Sequence, residues 1–491
     1  MGMLMVSGFL ILWFMKMNPS KYQQAVFDFV SGEKTNGIVN AVAGSGKTTT
    51  MELALKKSDP TEQIMACAFN KHIADNLKTR VPSNCLASTL NSFGAKQMGP
   101  LKLKFSMNKV DNIIKFEVLC LDWADEKQVR FYFIIRSSLI RIVDLLRNLN
   151  KTDITDWRVY ADQFDINIPN VENFECYLAD TFNLTINSKS HYDFTDQMYF
   201  PVHRNLPLPL FDTVWVDESQ DLNPLQMELI RRASRRVIAV GDPHQAIYGF
   251  RGADPYAMQN IKDMFACKEL PLSICYRCSK SVVREAQKIV PHIEYHDSAP
   301  EGIVDTVKDL SNIKDGDWVL CRTTAPLVTK CLRLISAGRK AVVKGKEIGD
   351  DIIDLINDLT SKRTVPAYDL ELLVEDYKHT KVSTLTAAGK VNQAIAIGDR
   401  CDAILAFCER GGTSFEIKKR IGDIFTNNDS EGIMLCTIHR SKGLEADNVY
   451  ILRRDLLPHP SAKLEWQKIQ EDNLHYVAIT RAKRNLFYCE T

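Results

Sequence analysis

A glycine-rich string that ends in Lys-Thr-Thr is the feature that most restricts how this chain can fold. Residues 40–49 read Asn-Ala-Val-Ala-Gly-Ser-Gly-Lys-Thr-Thr, at the end of the apolar run 38–42 and before a segment of helical character. A glycine-rich turn between a buried strand and a helix presents backbone N–H groups to a phosphate. The string departs from the pattern Gly-x-x-x-x-Gly-Lys-Thr only at Ala41, where a small residue suffices. The chain is therefore predicted to contain an α/β core with a phosphate-binding loop.

The side chains of this loop predict a nucleoside triphosphate bound with Mg²⁺. Lys47 follows the second glycine, where its ammonium reaches the β- and γ-phosphates. Thr48 comes next, and a hydroxyl at that position is a Mg²⁺ ligand. The nucleotide-binding residues predicted for the loop are Ala43, Gly44, Ser45, Gly46, Lys47, Thr48 and Thr49.

A second chemical signal is the acidic string Asp-Glu-Ser-Gln-Asp at residues 217–221, directly after the apolar run 214–216. A carboxylate at a strand end can hold Mg²⁺, and its neighbour can polarise an attacking water. We therefore expect Asp217 to bind the metal and Glu218 to act as the general base.

Further apolar runs indicate buried strands of parallel sheets, which argue for α/β layers. They occupy residues 38–42, 64–68, 214–216, 237–240, 318–321, 433–436, 449–452 and 486–488. Two stretches, residues 95–190 and about 348–430, lack this signal and are predicted to be helical insertions. The second part of the chain has no phosphate loop, because Gly345-Lys346 is followed by Glu347. One nucleotide shared by two cores is the simplest interpretation.

One amphipathic segment of the first helical stretch, residues 134–149, carries basic residues beside its apolar stripe. These are Arg136, Arg141 and Arg147. Arginines in such a pattern usually form a solvated helix face, which is the expectation for all three.

Composition excludes several classes of protein. The 491 residues are 45% hydrophobic and 25% charged, which is typical of globular chains and not of disordered or multi-span membrane proteins. The formal net charge is +1, so charge alone predicts no nucleic-acid partner. The apolar residues 3–15 are too few for a bilayer span of about 20 residues. We expect Met17 to be the natural start and no stable membrane association; a short membrane-surface anchor is the alternative.

Taken in order, several further strings resemble motifs of the UvrD/Rep/PcrA family of superfamily 1 DNA helicases. They lie at residues 18–26, 68–71, 89–93, 192–196, 241–253, 275–279, 437–445 and 473–483. The last of them, Asn-Leu-His-Tyr-Val-Ala-Ile-Thr-Arg-Ala-Lys, is similar to phage members and to the F-box helicase branch. The resemblance runs from Asn18 to Tyr488.

The resemblance implies roles for individual residues in the nucleotide site. Gln23, or Gln24 if the motif is shifted by one, would read adenine, and Tyr276 would stack on it. Gln245 would sense the γ-phosphate, Glu445 would meet the ribose, and two arginine fingers would complete the site. The predicted catalytic residues are Lys47, Glu218, Gln245, Arg277 and Arg481.

The resemblance also implies contacts with single-stranded DNA. Base–aromatic stacking is worth about 1–3 kcal/mol per base and needs no particular base sequence. Two departures from the family pattern occur: Phe69 directly precedes Asn70, and Asn91 replaces a histidine. The predicted DNA-binding residues are Phe69, Asn70, Thr89, Tyr248, Phe250, Arg251 and His439.

The resemblance thus implies an α/β fold with two RecA-like parallel-sheet P-loop NTPase cores, each carrying a mostly helical insertion. The expected first core comprises residues 17–94 and 191–267, with residues 95–190 inserted. The expected second core comprises residues 268–347 and 431–491, with the reduced insertion 348–430. Residues 1–16 belong to neither core. The short second insertion makes strong unwinding doubtful, and no room remains for a C-terminal nuclease module.

The implied activity is an ATP- and Mg²⁺-dependent DNA helicase that moves 3′ to 5′ on single-stranded DNA. One alternative is a translocase that displaces bound proteins with little unwinding; another is a DNA-binding switch that cycles with ATP without moving. Single strands, single-strand/duplex junctions, and single-strand-binding, replication or repair proteins are the expected partners. The expected location is the cytoplasm of a bacterial or phage-infected cell, or the nucleus in a eukaryote.

Overall fold

The computed structural model describes residues 18–68, 70–164, 166–247, 256–387, 390–427, 432–460, 462 and 464–490. Its strands are β1 (Gly37–Ala41), β2 (Ile64–Cys67), β3 (Cys85–Ser88), β4 (Lys104–Phe105), β5 (His191–Tyr192), β6 (Phe211–Val216), β7 (Ser234–Gly241), β8 (Lys268–Leu272), β9 (Ile274–Cys275), β10 (Glu294–Tyr295), β11 (Ile303–Val307), β12 (Trp318–Cys321), β13 (Ala341–Lys344), β14 (Phe425–Thr426), β15 (Ile433–Thr437), β16 (Ala446–Leu452) and β17 (Ala482–Cys489).

The helices are α1 (Lys21–Gly32), α2 (Lys47–Leu55), α3 (Lys71–Lys78), α4 (Leu90–Gln97), α5 (Lys109–Ile113), α6 (Glu126–Asn148), α7 (Trp157–Gln163), α8 (Phe174–Ile186), α9 (Asp196–His203), α10 (Pro224–Ala233), α11 (Ala257–Phe265), α12 (Lys280–Ala286), α13 (Ala325–Ser336), α14 (Lys346–Leu359), α15 (Ala367–Ala387), α16 (Val391–Cys408), α17 (Ser414–Ile424), α18 (Ile438–Ser441) and α19 (Glu465–Ile479). Within the described residues, none of them combines the length and apolar character needed to cross a membrane.

Two parallel sheets form the two cores. The first has six strands in the order β3-β2-β6-β7-β1-β8, and the second has seven in the order β11-β17-β16-β12-β15-β13-β14. Every pairing that builds these sheets is parallel. The predicted α/β fold class with two parallel-sheet cores is confirmed. All eight apolar runs singled out in the sequence coincide with these strands, and the runs 38–42 and 64–68 each extend one residue beyond the strand end.

The predicted boundary between the cores, after residue 267, is wrong by one strand. β8 pairs along its whole length with β1, from Gly37 opposite Lys268 to Ala41 opposite Leu272. β8 is therefore an edge strand of the first sheet and not the first strand of the second core. The strand was not predicted because Lys268, Glu269 and Pro271 leave it without an apolar run. Polar residues and proline are tolerated in an edge strand.

The two helical stretches differ in whether they have an apolar core of their own. Helices α5 to α8 enclose an apolar core of their own, built around Ile135, Leu139, Leu178 and Phe182. The second stretch, expected as an insertion over residues 348–430, instead shares one apolar core with the second sheet. β14 also lies inside it and pairs with β13. The expected separate insertion is therefore corrected to a helical elaboration of the second core, with α15 and α16 packed as its longest pair of helices.

Arg147, expected on a solvated face, is fully buried at the end of α6. Its Nη1 atom donates to Asp193 and to Asp196, at 2.9 and 2.8 Å. Lys109 donates to the same Asp196 from α5, at 2.6 Å. Buried charges are retained when they are paired and hydrogen-bonded, which is the case here. This cluster joins the first insertion to the segment where the chain re-enters the first core.

Candidate functional site: the cavity between the two cores

The loop between β1 and α2 adopts the shape of a phosphate cradle. Gly44 and Gly46 have φ values of 68° and 76°, in the left-handed region that favours glycine. A Cβ atom on Gly44 would stand 2.6 Å from the Cβ of Arg277, so a larger residue does not fit there. The Ser45 hydroxyl is buried without a hydrogen-bond partner. A loop with an orphaned polar group at a helix N-terminus suits a phosphate ligand.

The two predicted metal ligands meet beside this loop. The Thr48 hydroxyl donates a 3.2 Å hydrogen bond to Oδ2 of Asp217, which follows the end of β6. Both atoms are hard oxygen ligands of the kind Mg²⁺ prefers, so the residues present fit a magnesium ion. Lys47 Nζ lies 3.7 Å from Oε1 of Glu218. The structure thus brings the loop and the acidic string together.

Glu218 is held by groups around it. Its φ of 52° is unusual for a residue other than glycine, and such strain is typical of functional positions. Gln220 Nε2 donates to Glu218 Oε2 at 2.5 Å, while Gln220 Oε1 accepts from the backbone N–H of Asp242 at 3.0 Å. Gln220 therefore fixes the carboxylate against the end of β7. This fully buried amide was not recognised from the sequence, although it lies within the acidic string.

Burial and neighbouring charges give the two carboxylates, Asp217 and Glu218, different pKa values. Burial raises the pKa of Asp217 to about 6, and the adjacent Glu218 adds to the rise. Burial acts in the same direction on Glu218, but the cations Lys47 and Lys442 outweigh it and bring that pKa down to about 2. Glu218 is consequently a carboxylate at neutral pH, the form that accepts a proton.

Both predicted arginine fingers reach the same cavity from the second core. Arg481 is buried, and its Nε and Nη1 atoms donate to the carbonyls of Val477 and Leu444 at 3.0 and 3.1 Å. Its Nη2 atom lies 3.5 Å from Oε1 of Gln245, on the first core. Burial and the nearby charge of Arg277 lower the pKa of Arg481 to about 10, so it remains a cation at neutral pH.

Arg277 and Tyr276 sit against the phosphate loop. The backbone N–H of Tyr276 donates to the carbonyl of Gly44 at 2.9 Å. The Tyr276 ring is partly exposed and lies 5.0 Å from the ring of His296. Arg277 Nε forms a 2.5 Å ion pair with Glu445, the residue expected to meet the ribose. The two residues are therefore paired with each other in this structure.

Gln23 and Gln24, the alternatives for reading adenine, occupy different environments. Gln23 is buried, and its Nε2 donates to the Thr50 hydroxyl on α2 at 3.2 Å. Its Oε1 accepts from the backbone N–H of Ser20, which caps α1. Gln24 instead pairs with Asp28 on an exposed face. Gln23 is thus the one beside the phosphate loop, and its contact with adenine stays a prediction.

Contacts between the cores were missed in the sequence. Lys442 Nζ donates to both carboxylate oxygens of Asp221, at 2.9 and 2.6 Å, and to the carbonyl of Gln245 at 2.8 Å. The backbone N–H of Ala43 donates to the Tyr476 hydroxyl at 2.9 Å. Lys442 stands in the string at 437–445 and Asp221 ends the acidic string, so both lay within recognised motifs. Around these contacts the cavity encloses about 550 Å³.

The structure describes only some of the residues that are expected to bind DNA. Phe69, Tyr248, Phe250 and Arg251 lie outside the described residues. Asn70 and Thr89 are the N-caps of α3 and α4, and Asn70 also lines the cavity between the cores. His439 lies on α18 and faces a second cavity. The DNA contacts of these residues stay predictions.

This second cavity encloses about 470 Å³ and is bounded by three parts of the molecule. The first insertion contributes Arg141 and Phe164, the second core contributes Arg322 and Trp466, and the helix α16 contributes Gln393. A larger cavity, of about 790 Å³, lies among α13, α15 and α16 and contains none of the predicted site residues.

Comparison with known proteins finds similar sequences among DNA helicases. Residues 209–266 match the model of the UvrD/REP helicase N-terminal domain, and residues 416–491 match that of the UvrD-like helicase C-terminal domain. The F-box DNA helicase protein 1 of Schizosaccharomyces pombe is 25% identical over 92% of this chain and 55% of its own length. The F-box DNA helicase 1 of Gallus gallus is 23% identical over 92% of this chain and 47% of its own. A probable DNA helicase II homolog of Mycoplasma genitalium is 24% identical over 56% of this chain and 54% of its own. The chain therefore spans about half the length of these curated relatives.

Proposed function

We propose that this chain is a UvrD/Rep/PcrA-like member of helicase superfamily 1 and that it couples ATP hydrolysis to 3′-to-5′ movement on single-stranded DNA and to duplex unwinding. Its relatives are named DNA helicases. One observation carries the proposal. Lys47, Glu218 and Gln245 from the first core line one cavity with Arg277 and Arg481 from the second.

The hydrolytic step follows from these side chains. Lys47 and the N–H groups of the loop bind the phosphates, and Thr48 with Asp217 would hold Mg²⁺, which would neutralise charge on the phosphate oxygens. Glu218, ionised at neutral pH, orients a water for in-line attack and accepts its proton. Arg277 and Arg481 stabilise the charge that develops in the transition state, an effect worth about 10³–10⁵ in rate.

Movement follows from the division of this site between two bodies. Arg277 must leave Glu445 to reach a γ-phosphate, and Glu445 then becomes free to accept a hydrogen bond from the ribose. Hydrolysis is fast only when the cores close around ATP, and it favours opening once the γ-phosphate has left. Alternate closing and opening would tighten and loosen the hold of each core on the strand.

The strand itself is proposed to cross the second cavity. His439, expected to touch the DNA backbone, lines it together with Arg322 and Trp466. Tyr248 and Phe250 are proposed to stack on bases. Arg322 is already held by both oxygens of Glu471, which limits the net positive charge of the cavity wall. Binding of this kind relies on neutral donors and aromatic faces, as expected for a chain with a net charge of +1.

A translocase that strips proteins from DNA and unwinds poorly is the second candidate. The observation that favours it is the second stretch of helices, which shares its apolar core with the second sheet and forms no separate body beside it. A switch that cycles without moving is less well supported, because both arginines already reach the nucleotide cavity.

Unwinding of tailed duplexes tests the proposal. Duplexes with a 3′ single-stranded tail should be separated in the presence of ATP and Mg²⁺, whereas the same duplex with a 5′ tail should remain paired. Release of a protein block from the 3′-tailed strand without strand separation would support the translocase instead. Preferential separation of the 5′-tailed duplex would contradict the proposed polarity.

A further inference from the structure

Helix α19 contacts both cavities. Trp466 and Gln470, in its first half, line the second cavity. Asn473 and Tyr476, in its second half, contact the loops of the first core that surround the nucleotide cavity. Arg481 follows two residues after the helix ends. A single rigid element therefore spans the distance between the two cavities.

Its first half carries hydrogen-bond donors that have no partner. Gln470 Nε2 and Trp466 Nε1 are both buried and unsatisfied in the structure. The Gln470 residue is only 8% exposed, and the two side chains are four positions apart, on the same helix face. A buried donor without an acceptor is costly, so such a pair indicates a missing ligand. A phosphodiester strand offers acceptor oxygens of the required kind.

Its second half is joined to the nucleotide-binding loops. The fully buried Ala43 N–H donates to the Tyr476 hydroxyl at 2.9 Å, next to Gly44. Asn473 Nδ2 donates to the carbonyl of Ala246 at 3.0 Å, next to Gln245. A small displacement of α19 would consequently change the position of the phosphate loop and of Gln245 relative to Arg481.

We propose that α19 is the strand sensor of this protein. Gln470 and Trp466 donate to backbone oxygens of single-stranded DNA in the second cavity, and Tyr476 acts as a positioning residue that transmits occupancy to the phosphate loop. This inference rests on the proposed function, since it explains how a bound strand accelerates ATP hydrolysis. It assigns binding and coupling to different residues of one helix, which makes them separable.

The binding half is tested with Gln470→Met in the full chain, which keeps the side-chain length and removes the amide. ATP hydrolysis is titrated with oligothymidylate. The half-saturating concentration should rise about tenfold, as for one lost hydrogen bond to a charged acceptor, at an unchanged maximal rate. The matched control is Gln287→Met, because Gln287 donates to the carbonyl of Ile293 elsewhere in the second core. An unchanged half-saturating concentration in Gln470→Met would overturn the binding assignment.

The coupling half is tested with Tyr476→Phe, which removes only the hydroxyl. The maximal DNA-stimulated rate should fall about tenfold, whereas the half-saturating oligothymidylate concentration should stay as in the wild type. Tyr488→Phe is the control. The buried Tyr488 hydroxyl donates to Glu285 at 3.1 Å, in a part of the second core that does not line the nucleotide cavity. Equal fractional losses with and without DNA in Tyr476→Phe would overturn the sensor. A wild-type protein whose hydrolysis ignores DNA would instead contradict the proposed function itself.

Discussion

At the scale of single residues, Lys47 shows how one charge serves two purposes. Its ammonium, proposed to bind the phosphates, lies at the N-terminus of α2, 3.7 Å from Glu218, whose pKa it lowers. Replacing it would remove the cation that is proposed to bind the phosphates and would raise the pKa of the proposed base. Both changes oppose hydrolysis.

Lys47→Ala is therefore expected to lower DNA-stimulated ATP hydrolysis at least about a hundredfold and to leave binding of single-stranded DNA within about twofold. Phosphate release and fluorescence anisotropy of a labelled oligonucleotide measure the two quantities. The exposed Lys56, after the end of α2, supplies the control Lys56→Ala. Hydrolysis by Lys47→Ala near the control rate would contradict the assignment.

His475 predicts a pH dependence of stability. Burial lowers its pKa in the folded chain to about 4, below the value of about 6.5 of an exposed histidine. The unfolded chain then binds the proton first, so this contribution is present above pH 6.5 and is lost as pH falls towards 4. His475→Asn should lose less unfolding free energy than the wild type between pH 7 and pH 5 in urea titrations. An equal loss of unfolding free energy in the wild type and in His475→Asn would contradict this role of His475. The exposed His191 supplies the control variant His191→Asn.

At the scale of elements, the joint between α6 and the first core depends on the buried cluster of Arg147, Lys109, Asp193 and Asp196. Arg147→Met would leave carboxylates buried with one cation fewer. We expect the free energy of unfolding to fall by about 3–5 kcal/mol, measured by denaturant titration. The half-exposed Arg136, which shares Asp111 with Lys115 and Tyr132, gives the milder control Arg136→Met. Equal destabilisation of the two variants would show that burial of the cluster is not the cause.

Most of the strands that were missed in the two sheets lie at a sheet edge, although the interior strand β13, whose apolar run covers only residues 341–343, was missed as well. The interior strands carry continuous apolar runs, as in β6 and β12, because both of their faces are covered. The edge strands β3, β8 and β11 have mixed sequences, since an edge needs less apolar surface. The helices α14 and α15 were expected from their periodicity, but no local pattern shows that α14 to α17 share a core with the second sheet.

At the scale of the whole molecule, some parts of the site could be predicted from the sequence and others could not. Residues close to the ends of strands or helices, such as Lys47, Asp217 and Arg277, could be located from motifs. The contacts that join the cores could not, because they link residues 221 positions apart in Lys442 and Asp221 and 433 apart in Tyr476 and Ala43. Such pairs leave no spacing to recognise, and only the folded chain brings them together.

We propose above all that the two cores form one ATP site that is fully active only with DNA bound. Arg481→Ala tests it most directly, because this residue comes from the second core yet lines the cavity of the phosphate loop. With saturating oligothymidylate, we predict a fall in ATP hydrolysis of about 10³-fold or more, with strand binding unchanged and the chain still folded by circular dichroism. Folded Arg481→Ala protein that hydrolyses ATP at the wild-type, DNA-stimulated rate would contradict the account.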